Sequence, residues 1–172
     1  MRLPWFMVLA MMAIVASANY LVQFPVNDWL TWGAITYPLS YFVTDLSNRL
    51  HGPAVARRMV WVGFALAVLL SAWLAGLRIA LASGTAFLLS QLLDIRVFDR
   101  LRDRGWWQPP LFSSVIGSAL DTALFFALAF YATGMPWVSL AIGDYGVKVG
   151  IALAMLAPWW WLRRISAEPA NG

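Results

Sequence analysis

The sequence predicts an all-α integral membrane protein, a bundle of six transmembrane helices with both termini in the cytoplasm. Of its 172 residues, 62% are hydrophobic and only 12% are charged, which is too little charge to cover a water-soluble surface. The apolar residues form six runs, each close to the roughly 20 residues that a helix needs to cross the hydrocarbon core. The positive residues lie almost entirely between those runs, where they set the orientation of a membrane protein.

The predicted spans cover residues of about 4–24, 31–48, 59–76, 78–95, 109–132 and 139–162. Residues 59–93 are almost continuously apolar, and at about 1.5 Å per residue a single helix of that length would overshoot a bilayer. We therefore expect a tight reversal at Gly76 and Arg78. We also expect one transmembrane domain over residues 1–165 and a flexible tail over residues 166–172.

Arginine and tryptophan predict the orientation of the bundle. Arg78 alone falls on the outer side, and the inner side carries Arg2, Arg49, Arg57, Arg58, Arg96, Arg100, Arg102, Arg104, Arg163 and Arg164. Tryptophans favour both membrane interfaces: Trp5, Trp61, Trp106, Trp107, Trp159, Trp160 and Trp161 map to the inner one, and Trp29, Trp32, Trp73 and Trp137 to the outer one. Residues 96–104 could instead bind anionic headgroups or nucleic acid, but we interpret them as a determinant of topology.

Composition also excludes several functions. The chain has no cysteine, which removes disulfides, thiolate metal sites and cysteine nucleophiles together. No glycine-rich phosphate-binding loop with a following lysine is present, so we expect no ATP hydrolysis by that route. The one histidine, His51, lies in a predicted loop far from Asp121, and we predict neither a metal site nor a cofactor.

Asp121 lies near the middle of the apolar run at residues 109–132. An ionisable group at that depth costs roughly 2.5–3.5 kcal/mol on insertion scales, so it usually faces a protein interior or a water-filled cavity. Lys148 or Arg78 reaches it from a neighbouring helix, or it titrates, or its partner is a transported molecule. We favour a role in a binding site.

A second group of charges has an interpretation that stays open. Asp144 and Lys148 are four residues apart, a spacing that suits an ion pair on one helix face, so they either neutralise each other or act in coupling. Asp45 and Asp94 fall near the inner ends of their spans. There, pairing with nearby arginines is as good an explanation as contact with a substrate.

Other polar residues at depth are candidate binding residues. Asn19 and Gln23 lie one helical turn apart in the first span and present amide groups on one face. The second span carries a broad polar stripe that includes Tyr41, and the fourth and fifth spans carry polar and aromatic residues at helical spacing. The candidates among these runs are Tyr41, Phe87, Gln91 and Ser118. The small residues Gly117 and Ser118 also favour close helix packing.

Ordered sequence blocks resemble the queuosine precursor transporter family, also called the vitamin uptake transporter family. The blocks are residues 17–23, 31–34, 37–46, 52–58, 91–98, 106–107, 121–126 and 144–148. The chain departs from that family in a much shorter connection between the third and fourth spans, which puts any outer lid in doubt. It also has Gly117-Ser118 where relatives commonly carry Gly-Asn.

The resemblance implies a bacterial inner-membrane transporter that imports the 7-cyano and 7-aminomethyl 7-deazaguanine precursors of queuosine. It further implies that Asp121 accepts the two parallel donors of a guanine-like edge. Asn19, Gln23 and Gln91 would then bond the remaining polar atoms, and Tyr20, Tyr41 or Phe87 would stack on the ring. The partners are this small molecule and the lipid bilayer, with no nucleic acid, and dimerisation is left open.

Two competing functions remain. The chain could be the substrate-capturing subunit of an energy-coupling-factor transporter, in which case the small residues of segment 10–18 would dock partner subunits. An intramembrane enzyme is poorly supported, because no nucleophile lies beside a general base within the predicted spans. An N-terminal signal peptide ending near Ala16-Ser17-Ala18 is a further alternative, although the family resemblance begins inside that segment.

Overall fold

The computed structural model describes residues 4–167, except for the side chains of Leu66 and residues 163–167. The elements in chain order are α1 Trp5–Leu21, β1 Pro25–Asn27, β2 Leu30–Thr31, α2 Gly33–Thr36, α3 Leu39–His51, α4 Pro53–Ala75, α5 Leu77–Leu101, α6 Gln108–Phe130, α7 Trp137–Ala154 and α8 Leu156–Ala167. The predictions for Arg2, for the side chains of Arg163 and Arg164, and for tail residues 168–172 lie outside the described residues. Residues 166 and 167, the first two of the predicted tail at 166–172, continue α8.

Within the described residues, four helices are long and apolar enough to cross a membrane: Pro53–Ala75, Leu77–Leu101, Gln108–Phe130 and the continuous stretch Trp137–Leu162. Helix α1 is apolar but shorter, at 17 residues. The described part of the chain is therefore a helical membrane bundle. Its apolar surface is turned outward, as shown by Trp73 and Leu69, whose side chains are 81% and 72% exposed.

The second predicted span is not one helix. It begins as β2, continues as the short helix α2, and restarts as α3 after Pro38. Proline has no N–H to donate, so a helix usually breaks or restarts where it occurs. Helix α3 is also too polar and too short, at 13 residues, to qualify as a span by itself.

An unpredicted β-hairpin precedes this broken segment. Strands β1 and β2 pair antiparallel, with Pro25 opposite Thr31 and Asn27 opposite Leu30. The hairpin rests on α7, where Ser139 Oγ donates a 2.9 Å hydrogen bond to the Asp28 carbonyl. A Cβ added to Gly143 would collide with the Trp29 carbonyl oxygen, so glycine is required for this approach.

The reversal between the third and fourth spans is confirmed. Helix α4 ends at Ala75, Gly76 has φ of 84°, and α5 begins at Leu77. A positive φ of this size is accessible to glycine without a Cβ penalty. Arg78 does not point toward Asp121, because its guanidinium donates to the carbonyls of Leu128 and Tyr131 at the end of α6.

Helix α5 lies at the centre of the bundle and packs on α3, α4 and α6. Close packing depends on small residues, as predicted for Gly117. A Cβ at Gly117 would lie 2.9 Å from the Tyr41 ring, and one at Gly84 would lie 2.6 Å from Val68. Tryptophans are mainly exposed, as their interface assignment requires, but Trp159 of α8 is buried against Phe42 and Phe98.

Candidate functional site

Three charged side chains meet inside the bundle. Lys148 Nζ lies 2.7 Å from Asp121 Oδ2 and 2.6 Å from Asp144 Oδ2. All three residues are 5% exposed or less. The predicted ion pair between Asp144 and Lys148 on α7 is therefore present. Lys148, rather than Arg78, is also the partner of Asp121.

Hydroxyl groups complete this charged cluster. Thr122, next to Asp121 on α6, accepts a 3.0 Å hydrogen bond from Lys148 Nζ and donates one of 2.7 Å to Asp144 Oδ2. Each charge is thus both paired and hydrogen-bonded, which is the condition for keeping charges out of water without a prohibitive cost.

The broken second segment supplies a further contact. Tyr37 lies between α2 and α3, and its hydroxyl donates a 2.8 Å hydrogen bond to Asp121 Oδ1. Its ring also faces Lys148, whose Nζ is 4.9 Å from the ring centroid, a cation–π geometry. Ser90 Oγ lies 3.4 Å from the same Asp121 oxygen. Asp121 therefore has donors on both carboxylate oxygens.

Sequence reasoning omitted Tyr37 and Thr122 from the binding residues. Both stand in the sequence blocks that carry the family resemblance, and Tyr37 precedes a proline in a polar segment. Such a break in a membrane helix often marks a binding site, because the interrupted backbone must line a cavity or be buried in protein. That signal could have identified Tyr37.

Two small cavities flank Lys148. The Asn19 cavity is lined by Ala18, Asn19, Val22, Gly33, Tyr37, Ser83, Asp121, Phe125, Asp144 and Lys148. The Trp159 cavity is lined by Pro38, Tyr41, Phe42, Asp45, Pro110, Ser114, Ser118, Lys148, Ala152, Met155, Leu156 and Trp159. Each has a volume of about 20 Å³, room for roughly one water molecule. The bundle is closed around the cluster.

The structure brings some predicted binding residues to these cavities. Asn19 is buried beside Asp121 in the Asn19 cavity and donates a 2.6 Å hydrogen bond to Ser71 Oγ. Tyr41 and Ser118 line the Trp159 cavity. Gln91 is fully buried and donates to Ser40 Oγ, while its own carbonyl oxygen has no hydrogen-bond partner.

Three other predicted binding residues line neither of the two cavities beside Lys148. Tyr20 is 46% exposed and packs edge-to-face against Phe24. Gln23 is exposed and donates to the Tyr20 carbonyl. Phe87 belongs to the hydrophobic core between α1, α4 and α5. Helical spacing placed these residues on plausible faces but did not determine which face turns toward Asp121.

A second acidic pair lies nearer the arginine-rich end of the bundle. Asp45 accepts hydrogen bonds from Ser113 and Ser114 of 3.1 and 3.4 Å, whereas neither oxygen of the fully buried Asp94 has a hydrogen-bond partner. The described ion pairs do not connect either carboxylate to an arginine. Arg102, one of the expected partners, binds Asp99 and Asn48 instead.

Among the described residues, no group of three metal-ligating side chains is present. The charged cluster is therefore an arrangement of carboxylates, one ammonium and hydroxyls. Such groups can hold a polar or charged partner by hydrogen bonds and charge, and buried charges at membrane depth make the cluster a candidate site.

Membrane-length helices around buried, paired charges define a multi-pass membrane protein with a polar interior. Comparison with known proteins identifies the family to which this membrane protein belongs. The family model described as "putative vitamin uptake transporter" matches residues 31–77 and 71–163, and the chain belongs to this family. That description denotes a transporter rather than an enzyme.

Three relatives with similar sequences support the same assignment. The chain is 34% identical to the "queuosine precursor transporter" of Escherichia coli K12, over 86% of this chain and 80% of that protein. It is 33% identical to a "probable queuosine precursor transporter" of Haemophilus influenzae, over 84% of this chain and 79% of the relative. A protein of that same name from Bacillus subtilis is 30% identical, over 73% of this chain and 68% of its own length. No solved structure matches the chain.

Proposed function

We propose that the protein imports queuosine precursors, the 7-cyano and 7-aminomethyl 7-deazaguanine bases, across the bacterial inner membrane. The names of three relatives at 30–34% identity support the substrate class. The observation that carries the proposal is the buried carboxylate of Asp121, which accepts hydrogen bonds on both of its oxygens beside a cavity.

The proposed topology has six spans with both termini in the cytoplasm. The four long apolar helices and the shorter α1 account for five of them, and the broken segment from β2 to α3 accounts for the sixth. The inner side then carries the loop at residues 102–107 and the outer side carries the hairpin and Gly76. A single domain over residues 1–165 follows from this arrangement.

Asp121 is the proposed contact for the guanine-like edge of the substrate. That edge offers N1–H and an exocyclic amine, two parallel donors that one carboxylate can accept together. Tyr37 and Lys148 now supply donors to the same two oxygens, at 2.8 and 2.7 Å. The substrate would therefore replace at least Lys148 and leave its ammonium with Asp144 and Thr122.

Binding a base requires the bundle to open. A cavity of about 20 Å³ is far below the several hundred Å³ typical of ligand pockets. Asn19 and Gly33 line the Asn19 cavity on the outer side, and Tyr41 and Ser118 line the Trp159 cavity on the inner side. Alternating access would then open one cavity at a time around Asp121 and Lys148. Tyr20, Gln23 and Phe87 take no part in this proposed site.

Coupling is proposed to act through the same cluster. Two carboxylates and one ammonium carry a net charge of −1, so a proton or a cation that enters with the substrate would balance it. Asp45 belongs to this path because it lines the Trp159 cavity together with Lys148. Arg78 is assigned a structural role, since it caps the end of α6. Uptake that is unchanged after the proton and sodium gradients are collapsed would refute coupling.

The proposed function is tested by binding and by transport. The purified chain should bind the 7-cyano or the 7-aminomethyl base at least tenfold more tightly than guanine or biotin. Binding of biotin but neither precursor would overturn the proposed substrate. Reconstituted alone in liposomes, the chain should also accumulate the precursor. Binding without accumulation would instead favour the substrate-capturing subunit of an energy-coupling-factor transporter.

A further inference from the structure

A small pocket near the arginine-rich end lies apart from the charged cluster. It is lined by Arg49, Phe98, Arg102, Arg104, Trp106, Pro109 and Trp159, and its volume is about 80 Å³. We call it the arginine pocket. It forms where the ends of α3 and α5, the following loop, the start of α6 and helix α8 meet.

Three guanidinium groups converge on this pocket. Arg102 is held in place by Asp99 at 3.1 Å and by the side-chain oxygen of Asn48 at 2.7 Å. Arg49 stacks over the Trp159 ring at 5.7 Å from its centroid, which orients its guanidinium plane. Guanidinium groups that line one small pocket repel one another, and an anion bound between them would reduce this repulsion. Asp99, which pairs with Arg102, is half-exposed.

A buried donor points to the same conclusion. Trp159 is 2% exposed, and its indole Nε1 has no hydrogen-bond partner. An indole nitrogen can only donate, so a buried one without an acceptor destabilises the fold. Because Trp159 also lines the arginine pocket, an anion held there would supply that acceptor.

We propose that the arginine pocket binds the phosphate group of an anionic phospholipid. Arginine presents a planar fork that bonds two phosphate oxygens at once, and a third oxygen can accept from Trp159 Nε1. The pocket opens beside Trp106, and exposed Trp107 and Trp161 lie on adjoining elements, as expected at the headgroup level of a membrane.

The bound phosphate would have a structural consequence. It would fasten α8 to the ends of α3 and α5, which otherwise meet there through rings and guanidinium groups. Trp159 forms part of the wall of both the arginine pocket and the Trp159 cavity. A lipid in the first would therefore stabilise the closed wall of the second.

The experiment measures lipid binding to the purified full chain by native mass spectrometry, together with thermal unfolding in nanodiscs. The lipids are phosphatidylglycerol and, as the neutral comparison, phosphatidylcholine. The test variant is Arg104→Gln and the matched control is Arg100→Gln, an exposed arginine of α5 outside the pocket with the same loss of charge. Trp159→Phe keeps the ring and removes only the donor.

Wild type and Arg100→Gln should bind phosphatidylglycerol in preference to phosphatidylcholine. Arg104→Gln and Trp159→Phe should bind it roughly tenfold more weakly, the effect of losing one hydrogen bond to a charged group. Equal affinity for both lipids, or equal weakening in Arg104→Gln and Arg100→Gln, would overturn the proposal. Stabilisation by millimolar inorganic phosphate that abolishes the lipid effect would assign the pocket to free phosphate instead. No transport substrate is involved, so the outcome is independent of the proposed function.

Discussion

The Tyr37 hydroxyl donates a 2.8 Å hydrogen bond to Asp121 Oδ1, although the two residues are 84 positions apart in the chain. This bond ties the break between α2 and α3 to the middle of α6. It also holds one oxygen of Asp121 while Lys148 holds the other. The geometry of the charged cluster therefore depends on a segment that is not a continuous helix.

Tyr37→Phe should loosen this connection without removing the ring. We expect the free energy of unfolding to fall by about 1–3 kcal/mol, because a buried charged acceptor loses its donor. Thermal unfolding in detergent measures the effect. The control is Tyr131→Phe, at a residue 66% exposed, which should leave stability unchanged. Equal stability of both variants would show that the Tyr37 hydroxyl contributes nothing.

Asp121→Asn should abolish uptake of the precursor while the protein still inserts into the membrane. The amide keeps the shape of the side chain but offers one acceptor oxygen instead of two, and it no longer pairs with Lys148. The measurement is uptake of labelled precursor at matched membrane abundance. Asp103→Asn, at an exposed position in the loop after α5, serves as the control and should transport normally. Wild-type uptake in Asp121→Asn would remove this residue from the binding site.

Lys148→Gln should be strongly destabilising, because it leaves the carboxylates of Asp121 and Asp144 buried together without a cation. Removing one partner of a buried ion pair costs about 3–5 kcal/mol. The double variant Asp121→Asn/Lys148→Gln returns the cluster to its original net charge and should recover part of this loss. A double-mutant cycle of unfolding free energies gives the coupling. Strictly additive effects would contradict the close contact of 2.7 Å.

Gly143→Ala should separate the hairpin from α7, since the new methyl group would collide with the Trp29 carbonyl. We expect a loss of about 1–3 kcal/mol in stability, as for other overpacked positions. Gly146→Ala lies on the same helix with nothing within 4 Å of its added Cβ, so it should be neutral or slightly stabilising. Both are compared by thermal unfolding, and similar behaviour of the pair would argue against the tight contact.

The long apolar helices could be predicted because the composition of each run is enough to identify it as a membrane-spanning helix. Residues that are apolar for twenty positions have few alternatives in lipid, and Gly76 marks the one reversal that the run at 59–93 requires. The break at Pro38 could not be placed in the same way. There the polar residues obscure the hydrophobic pattern, and the hairpin depends on a distant contact with Gly143. A similar interruption at Met155 follows from Pro158, which cannot donate to the carbonyl of Ala154.

The sequence predicted those contacts of the candidate site that join residues on the same helix. Asp144 and Lys148 form their pair because four residues separate them on one helix. The identity of the partner of Asp121 depends on how α6 and α7 are rotated against each other, which no single-helix pattern specifies. For the same reason Tyr20 and Gln23 turned out to face outward, and Tyr37 was left out of the predicted site.

Lys148 stands between two water-sized cavities, each too small to join the other around it. The Lys148 side chain lines both cavities and separates one from the other. The closed protein would therefore preserve the ionic gradients of the cell rather than dissipate them. A leak should appear if a small side chain at position 148 joins the two cavities, and the membrane potential of cells producing such a variant would report it.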